Sequence, residues 1–291
     1  MSQPNYQQAP YVLTPVEQKS KSEQRNCLRW MVGCSLLIFV LCCVLPACGL
    51  ITMAVLASVS ESNKVTDRST ETLPITDLEN ITLDVRNEVG ETRVVADTDA
   101  TEITVDIIRT ATGLTDSAAR DNLAKLKAEV RQEGNRYIID ATGGDGGFAS
   151  GLSFGENSVD LRITLPAEIA TMLIETNVGA LTVEGVTITQ KLDLTNEVGS
   201  IEFYGTLTEG SHTITSDVGA VQVTLASNSS VEIDAKSDVG DISVDSGMLT
   251  NQDKNSSGAG QTLTGTYGED DPAAGRLTIR SDVGSIEIRE R

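Results

Sequence analysis

A four-residue block ending in Val-Gly recurs six times and constrains this chain more than any other feature. The copies are Asn87-Glu88-Val89-Gly90, Thr176-Asn177-Val178-Gly179, Asn196-Glu197-Val198-Gly199, Ser216-Asp217-Val218-Gly219, Ser237-Asp238-Val239-Gly240 and Ser281-Asp282-Val283-Gly284. Gly179, Gly199, Gly219 and Gly240 are spaced by 20, 20 and 21 residues. The gap of 44 to Gly284 predicts two units with a loop in one, and the 89 residues from Gly90 to Gly179 predict about four, one of them interrupted by a helix. Self-similarity at such a period is the signature of stacked repeats.

Within each unit apolar residues alternate, as a half-buried strand requires. Leu181/Val183, Ile201/Phe203, Val221/Val223, Ile242/Val244 and Ile286/Ile288 follow the glycine by two and four positions. Met172/Ile174, Leu192/Leu194, Leu277/Ile279 and Leu83/Val85 precede it by seven and five. Each unit therefore reads as strand, tight corner, strand. Glycine supplies positive φ at the corner, the preceding Asp, Asn or Glu suits a side-chain bond to the turn backbone, and the valine is expected to point into the core. A unit of about 20 residues buries no apolar face alone, so units must stack, each strand parallel to its equivalent about 4.8 Å away. The fold class is mainly β, a parallel β-solenoid-like repeat domain. The leucine-rich-repeat pattern is absent, and identical corners at regular spacing disfavour an antiparallel sandwich.

The rest of the chain places this domain. Residues 30–60 carry no charge, a run longer than the roughly 20 residues that a helix needs to cross a bilayer, and predict a transmembrane helix with Pro46 inside it. Lys19, Lys21, Arg25 and Arg29 precede it, against Lys64 and Arg68 after it, so the N-terminus is expected in the cytoplasm and the C-terminal domain outside. A cleaved signal peptide is the competing reading, disfavoured by the length of the apolar run and the polar residues before it. Trp30 sits at the membrane edge as an anchor. Residues 1–29, rich in Gln, Pro and Ser, read as a disordered tail, and 61–77 as an extended linker. The ectodomain spans 78–291, with an amphipathic helix at 115–134, capped by Thr115-Asp116 and Gly134, and a mobile loop at 252–275.

All five cysteines, Cys27, Cys34, Cys42, Cys43 and Cys48, lie in or beside the apolar run, so the ectodomain has no disulfide framework. The net charge is −20, yet residues 1–60 carry four basic and two acidic side chains; the ectodomain is thus more acidic than the whole. Such a surface repels nucleic acid and anionic head groups.

Residues from about Ile75 to Arg291 resemble the bacterial family known as "putative adhesin", β-strand-repeat domains of unknown function often tethered by one membrane helix. The resemblance rests on the repeated corners, on Val159-Asp160-Leu161-Arg162-Ile163-Thr164-Leu165-Pro166 leading into Ile174-Glu175-Thr176-Asn177-Val178-Gly179, and on the loop and strand ending at Gly284. The Asp-Val-Gly corner departs from the family's commoner Ser-Gly-Asp, and the resemblance brings no catalytic residue with it. It implies binding at the cell surface.

Chemistry is sparse. His212, the one histidine, occupies a strand position equivalent to Leu192 and Met172 and reads as filling a strand slot near the end or wall of the solenoid, and without a second His or any Cys nearby zinc has no ligand set. Gly143-Gly144-Asp145-Gly146-Gly147 touches a calcium-repeat pattern once and reads as a loop. Stacked in register, Glu197, Asp217 and Asp238 would form an acidic ladder, which makes them the candidate metal ligands, with calcium the cation considered. The structural corners are Gly90, Gly179, Gly199, Gly219, Gly240 and Gly284. The chain reads as a non-catalytic binding or adhesion module for an envelope polymer or surface protein, with envelope-stress sensing through the cytoplasmic tail as the alternative. An enzyme with paired carboxylates on a solenoid cleft is the third.

Overall fold

The computed structural model describes residues 63–78, 80–143, 157–268 and 275–291. The expected tail at 1–29, the expected membrane helix at 30–60 and the Gly143 to Gly147 loop beyond Gly143 lie outside them. Among the described residues no helix is long and apolar enough to cross a membrane.

Two parallel ladders meet at the Val-Gly corners. The first wall contains β2 (Thr82–Val89), β8 (Glu168–Val178), the second half of β9 (Leu181–Val198), β11 (Ser211–Val218), β17 (Gly275–Val283) and β13 (Val231–Val239), in that spatial order. The second wall runs β7 (Ser158–Pro166), β3 (Thr92–Asp97), the first half of β9, β10 (Ile201–Leu207), β12 (Val221–Leu225), β18 (Ile286–Glu290) and β14 (Ile242–Val244). The predicted apolar pairs fill the space between the walls: Leu83, Val85, Met172, Ile174, Leu192 and Leu194 from the first, Leu181, Val183, Ile201, Phe203, Ile286 and Ile288 from the second, all buried. Strands in parallel need both faces or a covered core to bury such residues, and the solenoid supplies one continuous interior.

Stacking does not follow chain order. The unit of Gly284 inserts between those of Gly219 and Gly240, because β17 pairs with both β11 and β13. Only one coil, together with a hairpin, fills the gap before Gly284, and the segment between Gly90 and Gly179 holds the wall strands β3, β7 and β8 with capping elements between them rather than four coils.

Antiparallel strands close the ends of the ladders. On the first wall β6 (Arg136–Thr142) lies parallel to β2 and antiparallel to β5 (Lys127–Glu133). On the second, β4 (Glu102–Thr112) runs antiparallel to β7 and to β1 (Lys64–Pro74). At the far end β13 meets β16 (Gly260–Tyr267), which pairs with β15 (Thr250–Ser257).

Three sequence expectations change here. The 61–77 linker contains β1, paired residue by residue with β4 from Lys64↔Thr112 to Pro74↔Glu102. An edge strand with both faces largely in water needs little apolar patterning, so its composition looks like a linker. The helix of 115–134 is short: α1 covers Asp116–Leu123, with Thr115 accepting the Ala118 N–H at its start. Lys127-Ala128-Glu129-Val130-Arg131-Gln132-Glu133 alternates with period two and becomes β5, so Gly134 serves the β5–β6 turn at φ +63° instead of a helix cap. The 252–275 loop is largely the β15–β16 hairpin, in which β15 is exposed throughout, while Leu263 and Tyr267 of β16 are buried.

Candidate binding faces

At every corner the alternation of inward and outward residues slips by one. Asn87, Thr176, Asn196, Ser216, Ser281 and Ser237, three positions before the glycine, are buried. The next two residues both face solvent. The valines expected in the core are therefore outside: Val89, Val178, Val198, Val218, Val283 and Val239 are 37–49% exposed. A bend between two walls turns the chain through the surface, and two successive side chains must point outward while it does so.

The inner polar row makes the turn bonds that sequence reasoning assigned to the acidic residues. Asn196 Nδ2 donates to the Gly179 carbonyl at 2.8 Å, Ser237 Oγ to that of Gly284 at 2.9 Å, and Asn87 Nδ2 to Val159 O at 2.9 Å. Neighbouring corners are also tied by backbone: Gly90 N–H donates to Val178 O, Gly179 to Val198, Gly199 to Val218, Gly219 to Val283 and Gly284 to Val239, at 2.9–3.0 Å. The corners are thus a rigid ladder.

Glu197, Asp217 and Asp238 lie on one outward row, but Asp282 stands between Asp217 and Asp238, and Glu88 and Asn177 extend the row in the other direction. All of its carboxylates are exposed, and among the described residues only Asp238 of this row has an ion pair, with Lys236 at 2.6 Å. Among the described residues no group of three or more His, Cys, Asp or Glu is arranged to hold a metal ion.

A second feature is a cleft of about 510 Å³ on the outer sheet face of β1, β4, β7 and β3, lined by Arg68, Thr70, Arg93, Asp106, Asp160 and Arg162. Its charges are mostly tied: Arg93 clasps Glu184 at 2.9 and 3.0 Å, Thr70 Oγ1 donates to Asp106 at 2.7 Å, and Asp160 accepts the Glu91 N–H at 2.9 Å. Elsewhere Arg280 grips both oxygens of Asp234 at 2.9 and 3.0 Å and holds that carboxyl below its usual range.

His212 is fully buried between Leu192 and Leu277. Its Nε2 lies 3.3 Å from the Thr208 carbonyl, Nδ1 has no hydrogen-bond partner among the described residues, and burial pushes its pKa down. A neutral ring donating from Nε2 satisfies this geometry, and no reacting group is offered to solvent.

Residues 72–289 match the family described as Toastrack DUF4097. The chain belongs to this family. The Toastrack domain accordingly covers the stacked ladders with their caps, beginning inside β1. No curated protein matches the chain in sequence. Among solved structures, one described as a "putative cell adhesion protein" from Clostridium sporogenes aligns over 78% of this chain and all of its own, at 14% identity and a TM-score of 0.55. A "putative adhesin" from Bacteroides fragilis aligns over 76% of this chain and 97% of its own, at 13% identity and a TM-score of 0.25. The Clostridium protein shares the fold of the Toastrack domain.

Proposed function

We propose that this Toastrack protein is a single-pass membrane protein that displays its β domain outside the cytoplasm as a non-catalytic binding module. The carrying observation is the pair of parallel ladders locked at their corners, a rigid surface on which side chains repeat at strand spacing. Extended partners, such as a wall polymer or another protein, match a repeating surface of this kind. The uncharged run over 30–60 and the basic residues before it support the tether and its orientation. The adhesion label on the Clostridium structure agrees with a surface role.

Protease added to intact cells, or to spheroplasts where an outer membrane is present, should remove an epitope fused after Arg291 and spare one fused before Ser2. The reverse pattern overturns the orientation. Cells lacking residues 61–291 should lose binding to isolated envelope or matrix material, whereas cells lacking residues 2–25 should keep it. Loss of function from removal of the tail alone, with no binding by the β domain, would replace this reading with signalling.

A further inference from the structure

We infer that the valine row along the corners is a docking strip for a basic, amphipathic α-helix of a partner protein. The inference rests on the reading of the domain as a binding module and names the class of its partner.

Six valines stand in register in the order Val89, Val178, Val198, Val218, Val283, Val239, and they make up six of the eight exposed large apolar side chains among the described residues. Exposed apolar side chains scattered singly are ordinary, but a contiguous row rimmed by charge marks an interaction surface. One flank is the glycine row, followed at the four middle rungs by the short side chains of Ala180, Ser200, Ala220 and Ser285, which leave the strip open there, and at the two end rungs by the exposed Glu91 and Asp241. The other flank is the acidic row, in which Glu197, Asp217 and Asp282 have no ion-pair partner among the described residues.

Charge and spacing select the occupant. A second copy laid antiparallel along the strip would bring like-charged rows together, a parallel one would offer the acidic row only glycines and short side chains, and an anionic bilayer would be repelled. A segment with basic side chains flanking an apolar stripe is complementary. Six rungs at about 4.8 Å span about 24 Å, the length of a helix of about 16 residues. A helix returns its apolar face every 5.4 Å or so, close to the rung spacing, whereas an extended strand returns the same face only every 6.6–6.8 Å or so and loses step within a few rungs. Apolar anchors at i, i+3, i+4 and i+7 laid into such a surface are the helix-in-groove mode of recognition.

The test uses the full chain in phosphatidylcholine nanodiscs, with empty discs as blank and three labelled 18-residue peptides read by fluorescence anisotropy. One carries leucines on one helical face and lysines on the other, the second replaces lysine by glutamate, and the third scrambles the first so that the apolar face is lost. The lysine peptide should bind, with the other two at least tenfold weaker. Val198→Ser/Val218→Ser/Val283→Ser should weaken the lysine peptide at least tenfold, and Asp217→Asn/Asp282→Asn should weaken it severalfold and flatten its salt dependence. Should the triple variant lose its β circular dichroism, Val218→Thr, which keeps the branched shape, takes its place and should still lose affinity. Equal binding of all three peptides, or unchanged affinity in the valine variants, overturns the inference. A wild-type dimer that the valine variants dissolve overturns it as well, by assigning the strip to self-association. If the valine variants bind both peptide and envelope material as the wild type does, only the docking strip fails. If the wild type binds neither, the binding-module reading fails with it.

Discussion

The backbone N–H of Gly219 donates to the carbonyl of Val283 at 3.0 Å, joining two corners that are not successive in the chain. Gly219 holds φ +152°, and a Cβ there would sit 1.8 Å from the Gly199 carbonyl oxygen. Gly247 also has positive φ, at +79°, yet a Cβ on it would meet nothing within 4 Å. Gly247→Ala should therefore cost only the backbone penalty of about 1–2 kcal/mol. Gly219→Ala must also push two rungs apart and should cost about 2–4 kcal/mol. Thermal melts of residues 63–291 by circular dichroism compare the two, and equal losses would show that the corners do not need their close approach.

His212 gives the domain an acid-sensitive rung. Its folded pKa lies below the ordinary value of 6.5 because burial disfavours the charged ring, so the unfolded chain takes up the proton first. The stabilisation from keeping the ring neutral is complete above pH 6.5 and is lost as pH falls toward the folded pKa, with a slope of at most about 1.4 kcal/mol per pH unit. His212→Leu matches the Leu192 and Leu277 neighbours and should flatten stability between pH 7 and pH 5. Denaturant melts across that range check it; an unchanged pH slope would place the acid response in other groups.

Asp217 lies between Glu197 and Asp282 on the exposed acidic row. Like charges at strand spacing repel by about 1 kcal/mol in water, and salt at 1 M cuts this sharply because the screening length falls to about 3 Å. Asp217→Asn/Asp282→Asn should raise the melting temperature at low salt and little at 1 M. A rise of equal size in both would discount repulsion. If millimolar calcium stabilises the wild type and not this variant, the row holds a cation.

The repeat unit was legible because two local rules coincide at each copy: alternating apolar residues at fixed offsets and a glycine where the backbone takes positive φ. The same logic puts His212 in a strand slot at the offset of Leu192, and the structure buries it fully there. The acidic row was half legible. Its residues are identifiable from the repeat, but their order is not: chain order sets Asp217 beside Asp238, whereas the pairing of β17 with both β11 and β13 puts Asp282 between them.

By itself the sequence determined the kind of structure within the repeat: its strands, its corners, their spacing, and the interior residues of each wall, but not the capping strands β1, β5, β15 and β16. These depend on contacts within one unit, where period and glycine position leave little choice. The tertiary structure alone decided which unit sits beside which, since near-identical corners carry no local mark of their neighbour: β13 has the β15–β16 hairpin on one edge and β17 on the other, and β17 rather than β13 lies next to β11. It also decided the direction of the valines. An apolar residue beside a corner glycine looks like core in a pattern of period two, but where the chain turns between walls two consecutive side chains face water, and there Val198, Val218 and Val283 form a surface instead of an interior.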